Sequence, residues 1–161
     1  MRSSILRRLA FLALIPAALV GVVVVATPAQ AAVTSWQQLQ SDVVSWTNHQ
    51  RVKSGCKALS LNAGLTRAGR DHSAWMARTG TFSHIGSGGS AFDARIRTAG
   101  YSKPSAENIA MGYRTGADVV NAFMKSPGHR ANILNCQSKT VGVGAVYSTN
   151  GTPYYTEDFG Y

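Results

Sequence analysis

The sequence contains only two cysteines in 161 residues and no C-x-x-C pair, which argues against a cysteine-based zinc site. It has no long run of Lys and Arg and no basic stretch interleaved with aromatic residues, so nothing favours nucleic-acid binding. No internal repeat, long linker or low-complexity segment divides residues 32–161. The H-E-x-x-H and H-x-E motifs of zinc enzymes are absent, and neither Ser83 nor Ser126 lies in a nucleophile elbow.

Residues 1–31 have the features of a secretory signal peptide. Three arginines precede an apolar run and then an A-x-A cleavage site: Arg2, Arg7 and Arg8, then Leu9–Ala26, then Ala29-Gln30-Ala31. A retained membrane anchor is the alternative, because the run is near the length of about 18 residues that spans a bilayer. The cleavage site favours removal. We therefore predict a secreted, extracellular protein with a single domain over residues 32–161.

Basic residues outnumber acidic ones in the exported part of the chain. Removing residues 1–31 removes three of the 16 Lys and Arg and none of the seven Asp and Glu, so the net charge falls from +9 to about +6. A basic surface is attracted to anionic cell-wall polymers or lipid headgroups. One functional hypothesis is therefore a basic cell-wall adhesin.

The two cysteines, Cys56 and Cys136, both follow the signal peptide. In an exported chain an even number of cysteines favours a disulfide over metal ligation. On the chain-entropy account, closing a loop of this length stabilises the fold by about 4.5 kcal/mol.

Hydrophobic periodicity predicts helices first and a β-hairpin last. Apolar spacing of three and four predicts helices over about 33–53, 62–79, 91–99 and 116–125. The valine-rich segment 140–147 and the segment 154–159 flank Asn150-Gly151, which is a strong hairpin signal. This order of elements indicates an α+β fold.

Ser126-Pro127 predicts a further helical turn. The serine hydroxyl can cap a helix, and proline is tolerated at its first position. His129 then lies in the first turn and can present its ring in one direction.

Four polar residues are candidates for chemistry: His72, His84, Glu107 and His129. Histidine and carboxylate side chains can ligate a divalent cation or act as general base and acid. His72 lies on the apolar stripe of its helix, where a hydrogen-bonded core histidine is the better interpretation.

The residues around three of these candidates form an ordered set of short motifs. They are Phe82-Ser83-His84, Ala106-Glu107-Asn108-Ile109-Ala110, Ser126-Pro127-Gly128-His129-Arg130-Ala131-Asn132-Ile133-Leu134, Gly142-Val143-Gly144 and Tyr154-Tyr155-Thr156-Glu157-Asp158-Phe159-Gly160. The set resembles the bacterial secreted branch of the CAP superfamily, also called SCP/TAPS or PR-1-like, the cysteine-rich secretory protein domain. The resemblance covers about residues 36–161.

The resemblance implies a three-layer α–β–α sandwich with a central antiparallel sheet and a cleft lined by two His and two Glu. By position, His84 and His129 match the two histidines and Glu107 matches one glutamate. The second glutamate belongs to a W-x-x-E pattern, which here reads Phe123-Met124-Lys125-Ser126 and so lacks it. Glu157 and Asp158 are candidates to approach the cleft instead.

The family resemblance and the residues together leave three functional hypotheses. The first is a secreted binding module whose cleft holds a divalent cation such as zinc, with His84, His129 and Glu107 as ligands, or a small ligand such as a lipid. The second is a metal-assisted hydrolase or protease that uses the same three residues in catalysis. The third is the basic adhesin. The missing glutamate and the lack of a nucleophile favour the binding module.

Overall fold

Five α-helices and four β-strands form the part of the chain that the structure, a computed structural model, describes, residues 33–161. The elements are α1 (Trp36–Lys53), β1 (Ser60–Leu61), α2 (Ala63–Thr79), α3 (Phe92–Thr98), β2 (Pro104–Met111), α4 (Gly116–Lys125), α5 (Pro127–Ile133), β3 (Thr140–Tyr147) and β4 (Pro153–Gly160). The signal peptide predicted over residues 1–31 lies outside the described residues. Within residues 33–161, no helix combines the length and apolarity needed to cross a bilayer.

The strands form one sheet in the order β1-β3-β4-β2. The pairs β3–β4 and β4–β2 are antiparallel, whereas the two-residue β1 runs parallel to β3. Helices α2 and α3 pack on one face, and α1, α4 and α5 pack on the other. The predicted α+β sandwich is therefore confirmed, with one parallel pair at its edge that the sequence pattern did not reveal.

The bounds of α2 follow from its end residues. The Asn62 side chain accepts from the backbone N–H groups of Gly64 and Leu65, which satisfies two free donors at the helix start. Gly80 ends the helix in the left-handed conformation, with φ of 72°. The predicted helix over 62–79 is confirmed on these grounds.

Glycines bring α2 directly onto the central strand β3. A β-carbon at Gly142 would collide with backbone atoms of Leu65 and Thr66, and one at Gly144 would collide with backbone atoms of Gly69 and Arg70. The two glycines of the Gly142-Val143-Gly144 motif therefore set how closely the helix approaches the sheet. Val143 points to the opposite face and packs in the main core.

The end of α1 and the end of α5 are joined through Arg51 and a disulfide. Arg51 is fully buried, and its guanidinium donates to four backbone carbonyls: those of Lys57, Ile133, Asn135 and Ser138. Cys56 and Cys136 form the predicted disulfide, with their Cα atoms 5.1 Å apart. The chain segments that follow α1 and α5 are thus held together both covalently and by hydrogen bonds.

Helix α5 begins at Pro127 as predicted, but the Ser126 hydroxyl does not cap it. The Ser126 carbonyl instead accepts from the N–H of Arg130 at 2.9 Å. Ser126 also ends α4, where its own N–H donates to the Phe123 carbonyl. One residue therefore separates the two helices, so the direction of α5 depends on the preceding helix.

Candidate functional site

Glu107 lies on β2 with its carboxylate directed to the face of the sheet that carries α2 and α3. Its side chain is 1% exposed, while that of His84 is 51% exposed. The His84 Nδ1 atom lies 2.8 Å from Glu107 Oε1. A carboxylate can only accept, so Nδ1 carries the hydrogen and Nε2 is the ring nitrogen available to a ligand. Two of the three predicted site residues, His84 and Glu107, are therefore in direct contact.

Arg95, on α3, holds the other oxygen of Glu107. Its Nη2 lies 2.6 Å from Glu107 Oε2, and its Nη1 donates to the backbone carbonyls of His84 at 3.0 Å and Ser90 at 2.6 Å. One guanidinium therefore positions both members of the His84–Glu107 pair. Sequence reasoning missed Arg95, which is 12 residues from Glu107 and belongs to none of the recognised motifs.

His129 lies on α5 beside a groove lined by apolar residues. Its ring packs edge-on against Phe123, with ring centroids 5.0 Å apart. The groove has a volume of about 380 Å³ and includes Phe82, Met111 and Tyr113 among its lining residues. Burial, and then the charge of His84, lowers the pKa of His129.

The metal site predicted from His84, His129 and Glu107 stays a prediction. Within residues 33–161, no group of three or more His, Cys, Asp or Glu side chains is arranged to hold a metal ion. Both Glu107 oxygens already accept hydrogen bonds, from His84 and Arg95. Glu107 is therefore a partner that orients His84, and cation binding by the two histidines stays a prediction.

Comparison with known proteins confirms the family that the motifs resemble. The sequence matches the CAP family, the cysteine-rich secretory protein family, over residues 44–159. The chain belongs to the CAP family. Two Bacillus subtilis proteins are similar to it: YkwD is 39% identical over 124 residues, and the membrane protein YlbC is 28% identical over 129 residues. These matches cover 76% and 77% of the chain but only 47% and 36% of the two relatives.

Solved structures show the same fold. An extracellular protein from Bacillus anthracis that contains an SCP domain superposes with a TM-score of 0.71 at 26% identity, over 77% of this chain and 40% of that one. An outer surface protein of Borrelia burgdorferi superposes with a TM-score of 0.67 at 21% identity, over 73% of this chain and 88% of that one. The second likeness concerns the fold alone.

In this CAP domain the two acids of the last strand lie on opposite faces of the sheet. Asp158 pairs with Glu107 in the β2–β4 register, and its side chain lies on the face of the sheet that carries α2, near Gly69. Burial, and then the charge of Glu107, raises the pKa of Asp158 well above its usual value. Burial and the neighbouring carboxylate therefore favour the protonated form of Asp158. Of the two acids considered from the sequence, Asp158 is the one that reaches the His84–Glu107 pair.

Glu157 instead lies under α1, in a buried polar network. Its Oε1 accepts from the Thr47 hydroxyl at 2.5 Å, and its Oε2 accepts from Asn108 Nδ2 at 3.2 Å. Asn108 Nδ2 also donates to the His129 carbonyl at 3.3 Å, and Asn108 Oδ1 accepts from Asn132 at 2.8 Å. This network links β2, β4 and α5, so it sets where α5 places His129.

The Glu157 carboxyl makes the stability of the domain depend on pH. Burial raises the pKa of Glu157 to about 7 from the ordinary value of 4.5. Between these values the folded state binds more protons than the unfolded state, so the free energy of unfolding falls as pH rises. Over this interval the loss from Glu157 is about 3 kcal/mol.

Glu157→Gln should remove that part of the pH dependence and stabilise the domain at pH 8. A glutamine can donate to the Thr47 hydroxyl and accept from Asn108, so both contacts survive. Urea unfolding of the two proteins at pH 5, 6, 7 and 8 measures the difference. Equal slopes of the free energy of unfolding against pH in wild type and variant would contradict this assignment.

Proposed function

We propose that this protein is a secreted binding module of the CAP family whose cleft holds a divalent cation such as zinc through His84 and His129. The observation that carries the proposal is the geometry of His84. Its Nδ1 donates to a buried carboxylate, and its ring is half exposed. Histidines that ligate metals usually donate their other ring nitrogen to a carboxylate, which fixes the tautomer and makes the free nitrogen a better ligand.

The donor set fits an open, weak cation site. Two imidazoles suit zinc, and they leave further coordination positions that water or a bound small molecule can fill. Arg95 keeps Glu107 in place and so keeps the His84 ring in one orientation. The cation, when bound, would supply positive charge at the mouth of the apolar groove beside His129. A small ligand with an anionic or polar end and an apolar body, such as a lipid, fits that combination.

Export is supported by the sequence of residues 1–31 and by the family. Residues 29–31 provide the cleavage site, and the domain that follows carries a disulfide, a bond typical of oxidising compartments. The Bacillus anthracis neighbour is an extracellular protein by its name.

The same His84–Glu107 pair favours a hydrolase as second candidate. A carboxylate on Nδ1 also orients an imidazole that acts as a general base. Glu107 would then act through His84, because both of its oxygens are occupied. Assays with casein and lipid substrates in the presence of zinc separate turnover from binding.

Zinc titration by calorimetry tests the binding proposal. We expect the wild type to bind zinc, and we expect His84→Ala/His129→Ala to lose measurable binding. Glu107→Gln should weaken binding by about 10- to 100-fold, the usual effect of removing such a carboxylate. His49→Ala is the matched control, because His49 is an exposed histidine on α1.

Thermal unfolding of each variant without zinc separates loss of the ligand from loss of the fold. Zinc binding that survives the double substitution would overturn the site. Binding without turnover of either substrate supports the module, whereas zinc-dependent turnover that the double variant loses supports the hydrolase.

A further inference from the structure

Arg95 also borders a second cavity, which lies between α2 and α3. Its volume is about 370 Å³, within the range of sites for small molecules. His84, Glu107 and His129 are not among the residues that line it. Its lining comes from α2, from the loop before α3 and from α3 itself, and includes Asp71, His72, Trp75, Ser90, Ala94 and Arg95.

His72 provides this cavity with a hydrogen-bond acceptor that has no partner. The residue is 2% exposed, and its Nε2 lies 2.9 Å from the Ser83 carbonyl oxygen. A carbonyl only accepts, so Nε2 carries the hydrogen and Nδ1 presents a lone pair. Within residues 33–161, Nδ1 has no hydrogen-bond partner. Burial lowers the pKa of His72, which keeps the ring neutral and the lone pair free.

Gly86 shows that polar groups converge around this atom. A β-carbon built on Gly86 would lie 3.0 Å from His72 Nδ1, 3.0 Å from Arg95 Nη1 and 3.1 Å from Ser90 Oγ. An imidazole acceptor, a guanidinium donor and a hydroxyl therefore surround one point beside Gly86. Glycine leaves this point free because it has no side chain. A buried acceptor without a partner destabilises the fold, so a hydroxyl that donates to it would be stabilised there.

The chemistry of the lining favours a ligand with several polar groups. The lone pair of His72 and the Asp71 carboxylate repel phosphate or carboxylate, whereas Arg67 and Arg95 attract them, so inorganic phosphate must be tested beside any neutral ligand. A purely apolar ligand would leave His72 Nδ1 without a donor. A ligand with several hydroxyls can donate to His72 and Asp71 and accept from Arg95.

Trp75 adds a flat apolar surface to this polar set. Its ring stacks on that of His72 with an interplanar angle of 10° and ring centroids 5.6 Å apart. A stacked ring pair of this kind offers a rigid face of low conformational entropy. A sugar ring suits this cavity, because the hydroxyls at its edge can bond to the polar groups and the C–H groups of its face can pack on Trp75.

From these observations we infer that the cavity between α2 and α3 is a binding site for a neutral sugar, separate from the His84–Glu107 cleft. His72 Nδ1 accepts from one sugar hydroxyl, Asp71 accepts from another at the rim, and Trp75 packs against the ring. The site does not depend on a bound cation.

Titration followed by NMR tests the inference on the full domain, residues 32–161. The probes are methyl glucoside, N-acetylglucosamine and inorganic phosphate, and the signals are the Trp75 indole N–H and the ring nitrogens of His72. We expect saturable shifts of both with at least one of the sugars. Ala94→Phe, which places a ring in the cavity from α3, should weaken binding by about tenfold or more.

Two further variants distinguish this site from the rest of the molecule. Ala63→Phe adds the same ring at an exposed position of α2 that does not line the cavity, and it should bind sugar as the wild type does. His84→Ala should also retain sugar binding. Saturation by phosphate alone, equal weakening by Ala63→Phe, or no shift with either sugar would overturn the inference.

Discussion

Replacing Arg51 by Met should cost the domain about 4 kcal/mol or more of its free energy of unfolding, because four backbone carbonyls, two buried and two partly buried, lose their donor together. Methionine fills much of the same space but cannot donate a hydrogen bond. The Ile133 carbonyl belongs to the last residue of α5, so the loss also frees the end of the helix that carries His129. Urea unfolding at neutral pH under non-reducing conditions measures the change.

Arg78→Met is the control for this substitution. Arg78 is an exposed residue in the last turn of α2, where such a change is expected to stay within about 0.5 kcal/mol. Arg51→Lys should recover only part of the stability, because one ammonium cannot reach four carbonyls in the directions that a guanidinium does. If Arg51→Met unfolds at nearly the same urea concentration as Arg78→Met, the carbonyls are satisfied in some other way.

Gly144→Ala should destabilise the domain by about 3 kcal/mol or more, because the added methyl group would overlap the backbone of α2 at Gly69 and Arg70. The obstacle is main chain rather than the end of a flexible side chain, so the whole helix must shift. Such a shift would move His72 and the cavity beside it, and would weaken the contact between Ser73 and Thr156 that joins α2 to β4.

Gly128→Ala, in the motif that forms α5, should stabilise the domain, whereas Gly144→Ala should destabilise it. Nothing lies within 4 Å of a β-carbon built there, and the residue lies inside α5 without a positive φ. Alanine should therefore stabilise the domain by about 0.5–1 kcal/mol, since it reduces the freedom of the unfolded chain. Thermal and urea unfolding of the two variants should thus move in opposite directions. A tolerated Gly144→Ala would mean that α2 is not held at this distance from β3.

The elements that sequence reasoning predicted well are those whose signals are local. Asn62 and Gly80 bound α2 through contacts within three or four residues, and Asn150-Gly151 closes the hairpin within its own turn. The role of Ser126 was predicted less well. Its hydroxyl was expected to cap α5, but the residue ends α4 and begins α5 at once, and its backbone makes the contacts.

Within the candidate site, the contact of His84 with Glu107 was predicted from the ordered motifs, but the role of Glu107 was not. Its two oxygens accept from His84 and from Arg95, and Asp158 lies opposite it in the β2–β4 register. Arg95 and Asp158 are 12 and 51 residues from Glu107. A sequence pattern that reads spacing along the chain does not report which strand lies beside which, so these contacts required the structure.

By itself the amino-acid sequence determined the family, the helix and hairpin segments, the pairing of its only two cysteines and the three residues around which a cleft was expected. These follow from local backbone preferences and from the identity of side chains in order. The tertiary structure alone decided that the Glu107 oxygens accept from His84 and Arg95, that Glu157 and Asp158 lie on opposite faces, and that His72 borders a cavity with an unpartnered nitrogen. The reason is that hydrogen-bond partners and burial arise only when the elements pack together. The register of the sheet and the close approach of α2 to the glycines of β3 determine that packing.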